Sequence, residues 1–430
     1  MLPLTTAKFW SLDSTDRTMM FHPSRNIFRN TKRKALHNPE ILRQAQDDNK
    51  EPFCHSEEQR DEESWVTQRS PYQGEDSSPL IRGARGVKPF THTICGLIIL
   101  LGLLIFVSGC GEPPIHRRSQ FLMGTLVEIS VFEKNKDTAE LAIQSAFNEI
   151  QRMEGLMSTR IPGSEISKIN QSAGLEPVSV SPEVLAVISR ALYWAEQTNG
   201  ALDISLEPVQ ELWDFDGEHT SLPDKKILEQ KLSKVDYKKI RLENQTVFLT
   251  EKGMGLHLGA IAKGYAVDRA INILLESNIH HALINAGGDL KTLGLRPDQT
   301  AWKIGLQHPR KPEAILAGFS LSGKAVATSG DYQKYFDHEG TRYHHILNPK
   351  TGYPVTGVMS ATVVAETVMD ADALSTALFV MGAKEGMAFI ASLKGIEGLL
   401  VDQDKTPYLS QGMESLAGFS LEGFKENFSH

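Results

Sequence analysis

At 430 residues, with 40% hydrophobic and 23% charged side chains, the chain has a globular composition and room for two or three domains, which excludes collagen-like, coiled-coil and wholly disordered architectures. Its 53 acidic residues outnumber its 45 basic ones, giving a net charge of -8, so it lacks the footprint of a general nucleic-acid binder and suits a metal or small-molecule partner better. The three cysteines, Cys54, Cys95 and Cys110, have no zinc-ligand spacing and offer neither a disulfide scaffold nor a structural zinc site.

Residues 1–86 are polar, crowded with charge and without sustained periodicity, the pattern of a segment that cannot bury enough surface to fold. They read as a disordered or mis-assigned extension, with translation expected to start near Val87. Residues 87–109 read as a secretory signal: Lys88 follows Arg82 and Arg85, the run from Ile94 to Val107 is uncharged and apolar, and Ser108-Gly109 precede Cys110. That run of 14 residues is short of the ~20 needed to span a membrane. The small residues ending in cysteine resemble a bacterial lipoprotein box, which implies cleavage before Cys110, acylation of its thiol and a mature chain of 110–430 anchored to a membrane.

Within the body, Thr125 to Phe132 reads as a strand, and Ala139, Ile143, Phe147, Ile150 and Met157 recur at helical spacing. Ser181-Pro182 offers an N-cap and first-turn proline for a second helix that presents Leu185, Ile188, Leu192 and Ala195 and stops at Gly200. The stretch from Phe215 to Lys226 is polar and turn-rich, as in a surface insertion. Apolar runs at 247–249, 282–285, 302–306, 318–321 and 360–365 predict further strands. Helical stretches are expected near 261–276, 371–381 and 384–393. The fold class is therefore α+β, mixed β-sheets flanked by helices.

Four segments point to chemistry. In Leu256 to Asp268 (LHLGAIAKGYAVD) a strand end is expected to pass through glycine into a helix, where exposed amides and Lys263 suit a phosphate; a glycine there also serves close packing. In Ile284 to Asp289 (INAGGD) the paired glycines read first as a tight turn. His344 and His345 are adjacent, so in extended chain only one can face a site while the other is structural; a histidine in a cleft is suited to accept a proton near neutrality. In DADALSTAL, Asp372 and Thr376 stand at i and i+4 and put two hard oxygen ligands on one helix face. The competing expectation is that Asp370 or Asp372 caps that helix while Thr376 bonds back to a carbonyl.

In their order, MGT (123–125), MST…SEISKIN (157–170), GALDIS (200–205), LGAIAKGYAVD (258–268), INAGGDL (284–290), ATSGDY (327–332), YHHILNPKTGYP (343–354) and DADALSTAL (370–378) resemble the ApbE family of FAD:protein FMN transferases. The resemblance spans roughly residues 116–400 and implies a T-fold-like architecture for the domain 110–430. It also implies a reaction in which an acceptor threonine hydroxyl attacks the FMN-side phosphorus of FAD and AMP leaves. Carried onto this chain, the family's motifs assign Mg2+ to Asp372, Thr376 and the carbonyl of Ala260. They assign the FAD pocket to Met123, Arg160, Ala201, Leu202, Asp203, His257, Lys263 and Ile346, and the base to His344 or His345. The implied acceptor is a flavoprotein subunit of a membrane redox complex, and the implied location is the periplasmic face of a membrane, reached through Cys110.

Two positions depart from the family pattern. His257 stands where most members have aspartate, and Arg160 where an aromatic residue is common. An imidazole differs from a carboxylate in charge and donor capacity, so His257 is expected to titrate between roughly pH 5.5 and 7.5 and to make FAD affinity fall as pH rises. A guanidinium can still stack on a flat ring. Besides the transferase, an FAD pyrophosphatase and a non-catalytic flavin-binding lipoprotein are compatible with these motifs.

Overall fold

The computed structural model describes residues 113–215 and 221–422. The extension, the signal segment and Cys110 lie outside the described residues.

Eight strands form one sheet: β1 (Ile115–Leu122), β2 (Thr125–Phe132), β3 (Ala282–Ala286), β4 (Asp289–Leu293), β5 (Ala325–Gly330), β6 (Val358–Ala365), β7 (Glu397–Asp402) and β8 (Pro407–Leu409). Their order across the sheet follows their order in the chain, and every neighbouring pair is antiparallel. Apart from the strand Ser420–Leu421, which follows β8, all other elements are thus excursions between consecutive strands, and the site is assembled where those excursions leave and rejoin the sheet. Two-residue turns close the first two hairpins. Met123 and Gly124 have φ of 52° and 73°, and Gly287 and Gly288 of 64° and 108°, the positive φ that such turns require. The paired-glycine turn read from the sequence is borne out, and a side chain at Gly287 would overlap the hydroxyl of Thr125.

The seven helices among the described residues are α1 (Lys136–Met157), α2 (Glu165–Gln171), α3 (Pro182–Gln197), α4 (Glu207–Gln210), α5 (Lys225–Leu232), α6 (Ala262–Glu276) and α7 (Val368–Ser392). α1 packs on α6, α6 on α7, and α7 on β5 and β6. Alternation on the strands serves both faces: Ile284 and Val363 point into the helix-side core with Ile143 and Leu374, whereas Leu283 and Val364 join a second core on the opposite face. Each fully buried aliphatic side chain of this kind contributes roughly 1.5–3 kcal/mol. The second core is covered by a three-stranded sheet, Trp302–Gln307, Ile315–Leu321 and Ser420–Leu421, in which Trp302 meets Phe132 with ring centroids 5.6 Å apart.

Several local expectations are met, others corrected. Ser181 does cap α3, and the break between the two stretches expected around 382 is a residue of non-helical backbone, Gly382 (φ 76°, ψ -179°), inside α7. Leu256 is not a strand end: residues 255–258 are irregular and lead through a turn into α6. Neither Asp370 nor Asp372 caps α7. Thr367 is the cap, accepting the amide of Asp370, because its hydroxyl lies three residues upstream of that amide, where an N-cap side chain bonds. Thr376 hydrogen-bonds Ser329 across to β5 rather than its own helix. Phe215 is no surface residue; it stacks on Trp213 at 5.8 Å and on Phe336 at 5.9 Å. This aromatic cluster seats the hairpin Tyr335–His338/Thr341–His344.

Candidate active site

Two helix N-termini meet and cap each other. From α6, Asp268 accepts the first two amides of α7, Val368 at 3.1 Å and Met369 at 2.9 Å. From α7, Asp372 accepts the amide of Gly264 at 3.1 Å. Each carboxylate satisfies orphan donors of the other helix and lies at the positive end of its dipole. The approach needs a glycine, since a Cβ at Gly264 would overlap the Val368 carbonyl; the close-packing role weighed for this motif is therefore real. Ala260 precedes Ile261, the N-cap of α6, so its carbonyl stands outside that helix's own ladder. That carbonyl accepts no hydrogen bond from the described residues.

Lys263, on the first turn of α6, lies between two carboxylates: Asp289 Oδ2 at 2.5 Å and Asp372 Oδ1 at 3.2 Å. Burial alone would lower the affinity of this amine for its proton, but the charges of Asp289 and Asp372 outweigh it and hold the ammonium protonated well above the usual lysine range. Asp289 itself is pushed up to about 7 by burial and by the neighbouring charge of Asp372, with Lys263 opposing. Thr376, one turn on from Asp372, shares a hydroxyl cluster with Ser329 (3.2 Å), which in turn meets Ser375 at 2.9 Å. Asp370 faces elsewhere: despite burial, Arg190 (2.6 Å) and Trp194 (2.7 Å) hold its carboxyl below the ordinary range.

No group of three or more acidic, histidine or cysteine side chains suited to a metal converges among the described residues. The set of Asp372 carboxylate, Thr376 hydroxyl and Ala260 carbonyl is nonetheless made of hard oxygens, of which the carbonyl has an open lone pair, and that chemistry fits Mg2+.

The two histidines separate cleanly. His344 is buried, its Nε2–H donates to the Val355 carbonyl at 2.8 Å, its Nδ1 accepts the Ile346 amide at 3.3 Å, and its ring meets Phe379 edge-on. Both nitrogens are committed to holding the loop. His345 donates Nδ1–H to the Lys334 carbonyl at 3.3 Å, which fixes the tautomer and leaves the lone pair on Nε2. Burial, with the charge of Lys334 nearby, pushes His345 down to about 3, so it is neutral in the free protein.

The remaining pocket candidates are scattered over several excursions. Met123 occupies the β1–β2 turn, beside Gly124, whose Cβ position is 3.8 Å from the Lys334 ammonium. Ile346 is buried beside His344. Leu202 is buried, its amide bound to Thr198, and Asp203 ties down its own turn, accepting Ser205 N–H, Ser205 O–H and Tyr237 N–H; Ala201 precedes them, half-buried. His257 is pushed down to about 4 by burial and by Arg160, Lys334 and Lys263. That runs against the expected titration between pH 5.5 and 7.5: burial first, and nearby positive charge second, keep the imidazole neutral throughout that range in the free protein. Arg160 is exposed beside Glu207, which burial and Glu211 push up to about 7.

Sequence reasoning did not single out Asp289, Ser329 or Lys334. Asp289 ended a motif read as a turn, and Ser329 belonged to ATSGDY, so position within a motif was the available signal. Lys334 had none, since its proximity to His257 and His345 arises from the return of the chain after β5.

The ApbE family model matches residues 123–400. An FAD:protein FMN transferase from Treponema pallidum is 32% identical over 340 residues, covering 73% of this chain and 93% of the relative. One from Klebsiella pneumoniae is 32% identical, covering 69% and 92%. Among solved structures, the ApbE protein of Thermotoga maritima superposes with a TM-score of 0.66 at 34% identity, covering 70% of this chain and 99% of that one. The flavin transferase ApbE of Vibrio cholerae gives 0.65 at 28% identity, with the same coverage. The chain belongs to the ApbE family.

Proposed function

We propose that the chain is a Mg2+-dependent FAD:protein FMN transferase that moves FMN from FAD to a threonine hydroxyl of an acceptor protein and releases AMP. The observation that supports this most directly is the junction of the α6 and α7 N-termini. There a cationic lysine meets the Asp372 carboxylate, with the Thr376 hydroxyl one helical turn on and the unpaired Ala260 carbonyl just before α6, a donor set suited to a pyrophosphate and its cation.

Asp372, Thr376 and the Ala260 carbonyl would hold Mg2+, which when bound neutralises charge on the phosphates. Lys263 supplies a second, protein-borne positive charge at the same place, where charge shifts as the bond to AMP breaks. Met123, Arg160, the segment Ala201-Leu202-Asp203, His257 and Ile346 would line the FAD pocket. With the Asp203 carboxylate already engaged within its turn, the contact from that segment falls to its backbone. His345 is the base: its free Nε2 accepts the threonine proton as the oxygen bonds to phosphorus. The negative charge of bound pyrophosphate raises its proton affinity from the low value of the free protein. His344 positions the loop.

The acceptor is a threonine-bearing protein, which we take to be a subunit of a membrane redox complex. The enzyme meets it at the periplasmic face of a membrane, to which acylated Cys110 would anchor it. Replacing Cys110 by Ser tests the anchor: the protein should shift to the soluble fraction or fail to be processed, and unchanged membrane association with normal cleavage would refute it.

Incubation with FAD and Mg2+, with and without an acceptor, tests the reaction through AMP release and in-gel flavin fluorescence. Fluorescent acceptor with matching AMP is expected. FMN and AMP without protein-bound flavin would mark an FAD pyrophosphatase, and neither product would mark a flavin-binding protein without catalysis.

A further inference from the structure

The motif INAGGD turns the sheet at Gly287-Gly288 and delivers Asp289, the first residue of β4, into the junction of α6 and α7. The residue is 3% exposed and so close to Lys263 that it is the nearer of that lysine's two carboxylates, 2.5 Å against 3.2 and 3.3 Å to the two oxygens of Asp372. No role in the transfer described above uses it. A cation can engage Asp372 only if Lys263 does not claim that carboxylate for itself, because two positive charges competing for one pair of oxygens repel each other. Lys263 is drawn off by the stronger, shorter pairing, and Asp372 keeps the weaker contact.

We propose that Asp289 is a positioning residue that holds the Lys263 ammonium off Asp372, so that Asp372 stays available to a divalent cation. This rests on the reading of Asp372 as a metal ligand. Without Asp289, Lys263 would have one carboxylate partner left and would close on Asp372 as a tight ion pair. Loss of Asp289 should therefore weaken cation binding through Lys263, not through lost coordination.

The test is a Mg2+ titration of the purified protein at pH 8 without FAD, read as the Mg2+-dependent rise in thermal unfolding midpoint. It compares wild type, Asp289→Asn, Lys263→Met and the double variant. Asp289→Asn should raise the half-saturating Mg2+ concentration roughly tenfold, the scale of one charge-assisted hydrogen bond redirected to Asp372. Lys263→Met should lower it, and adding Asp289→Asn to Lys263→Met should change nothing further. Should Asp289→Asn fail to fold, the tightening by Lys263→Met still decides: unchanged or weaker Mg2+ binding there overturns the proposal. So does a full loss from Asp289→Asn in the Lys263→Met background, since Asp289 would then touch the cation itself. A wild-type protein with no Mg2+ response removes the metal reading first, and a wild-type response with an indifferent Asp289→Asn removes only this inference.

Discussion

Gly264→Ala should destabilise the protein although alanine is the better helix former. In an exposed helix the exchange gains about 1 kcal/mol. At this position the new methyl would overlap the Val368 carbonyl and crowd Met369 Cα, and both are backbone of the first turn of α7, which cannot swing aside as a side chain would. Overpacking of this kind costs about 1–3 kcal/mol. Pushing the helices apart also stretches the Gly264 amide from Asp372 and the Val368 and Met369 amides from Asp268, each a hydrogen bond to a charged group worth about 1.5–3 kcal/mol. Even partial loss of one of the three reverses the propensity gain, for a net loss of about 2 kcal/mol. Urea unfolding should show a lower midpoint at unchanged slope, and the thermal midpoint should fall by roughly 5 °C for a domain of this size. Mg2+ affinity should fall with it, because parting the helices carries Asp372 and Thr376 of α7 away from the Ala260 carbonyl that precedes α6. A Gly264→Ala protein as stable as wild type would refute the account of the helix junction.

The paired histidines should part on different axes: His344→Ala lowers stability by about 2–4 kcal/mol through a cavity and two unpaired backbone groups, while His345→Ala keeps the unfolding midpoint and loses flavin transfer; the reverse pattern would exchange their roles. Asp372→Ala should abolish Mg2+-dependent turnover with FAD binding partly kept, and Thr376→Ala should be milder because it removes a neutral ligand; full activity of Asp372→Ala at limiting Mg2+ excludes the metal assignment. Since His257 is lowered to about 4 from 6.5, the unfolded chain takes up its proton first as the solution is acidified. Stability due to His257 is then present above pH 6.5 and lost as pH falls toward 4. His257→Gln should make this acid limb shallower, and identical limbs in the two proteins would show that the imidazole is not held neutral.

How much of this was legible in the sequence depended on range. Ser181-Pro182, the stop at Gly200, the break at Gly382 and the Gly287-Gly288 turn are local events in which a residue's own φ or side chain fixes the outcome, and these were read correctly. The cap of α7 is local too, but Thr367, Asp370 and Asp372 all carry oxygens suited to an N-cap, and only the backbone, extended at Thr367, selects the threonine. Asp268 and Asp372 acquire their partners across about a hundred residues of chain, and no spacing rule foretells which of several acids will meet which helix. The histidine pair marks the boundary between the two cases. Alternation along an extended chain said that one would be structural, but the choice fell to the Val355 carbonyl, brought back by the turn after Asn348.

The departure at His257 gains its meaning from that same long-range packing. Arg160 and Lys263 belong to the excursion between β2 and β3 and Lys334 to the one after β5, and all three act on it, so an aspartate here would be a further counter-ion to these cations, whereas the neutral imidazole adds no negative charge. A site with one carboxylate fewer repels an anionic ligand less, which favours the phosphates. His257→Asp should return that carboxylate and weaken binding of the pyrophosphate, contrary to what simple return to the family pattern suggests. The measurement is FAD titration from pH 5.5 to 8. His257 should add no slope to the wild-type profile beyond that of Asp289 and Glu207, which are pushed up to about 7, because its imidazole is already neutral before the ligand arrives, and His257→Asp should bind several-fold more weakly throughout that range. Tighter binding by His257→Asp would mean that the carboxylate contacts FAD directly and would refute this reading.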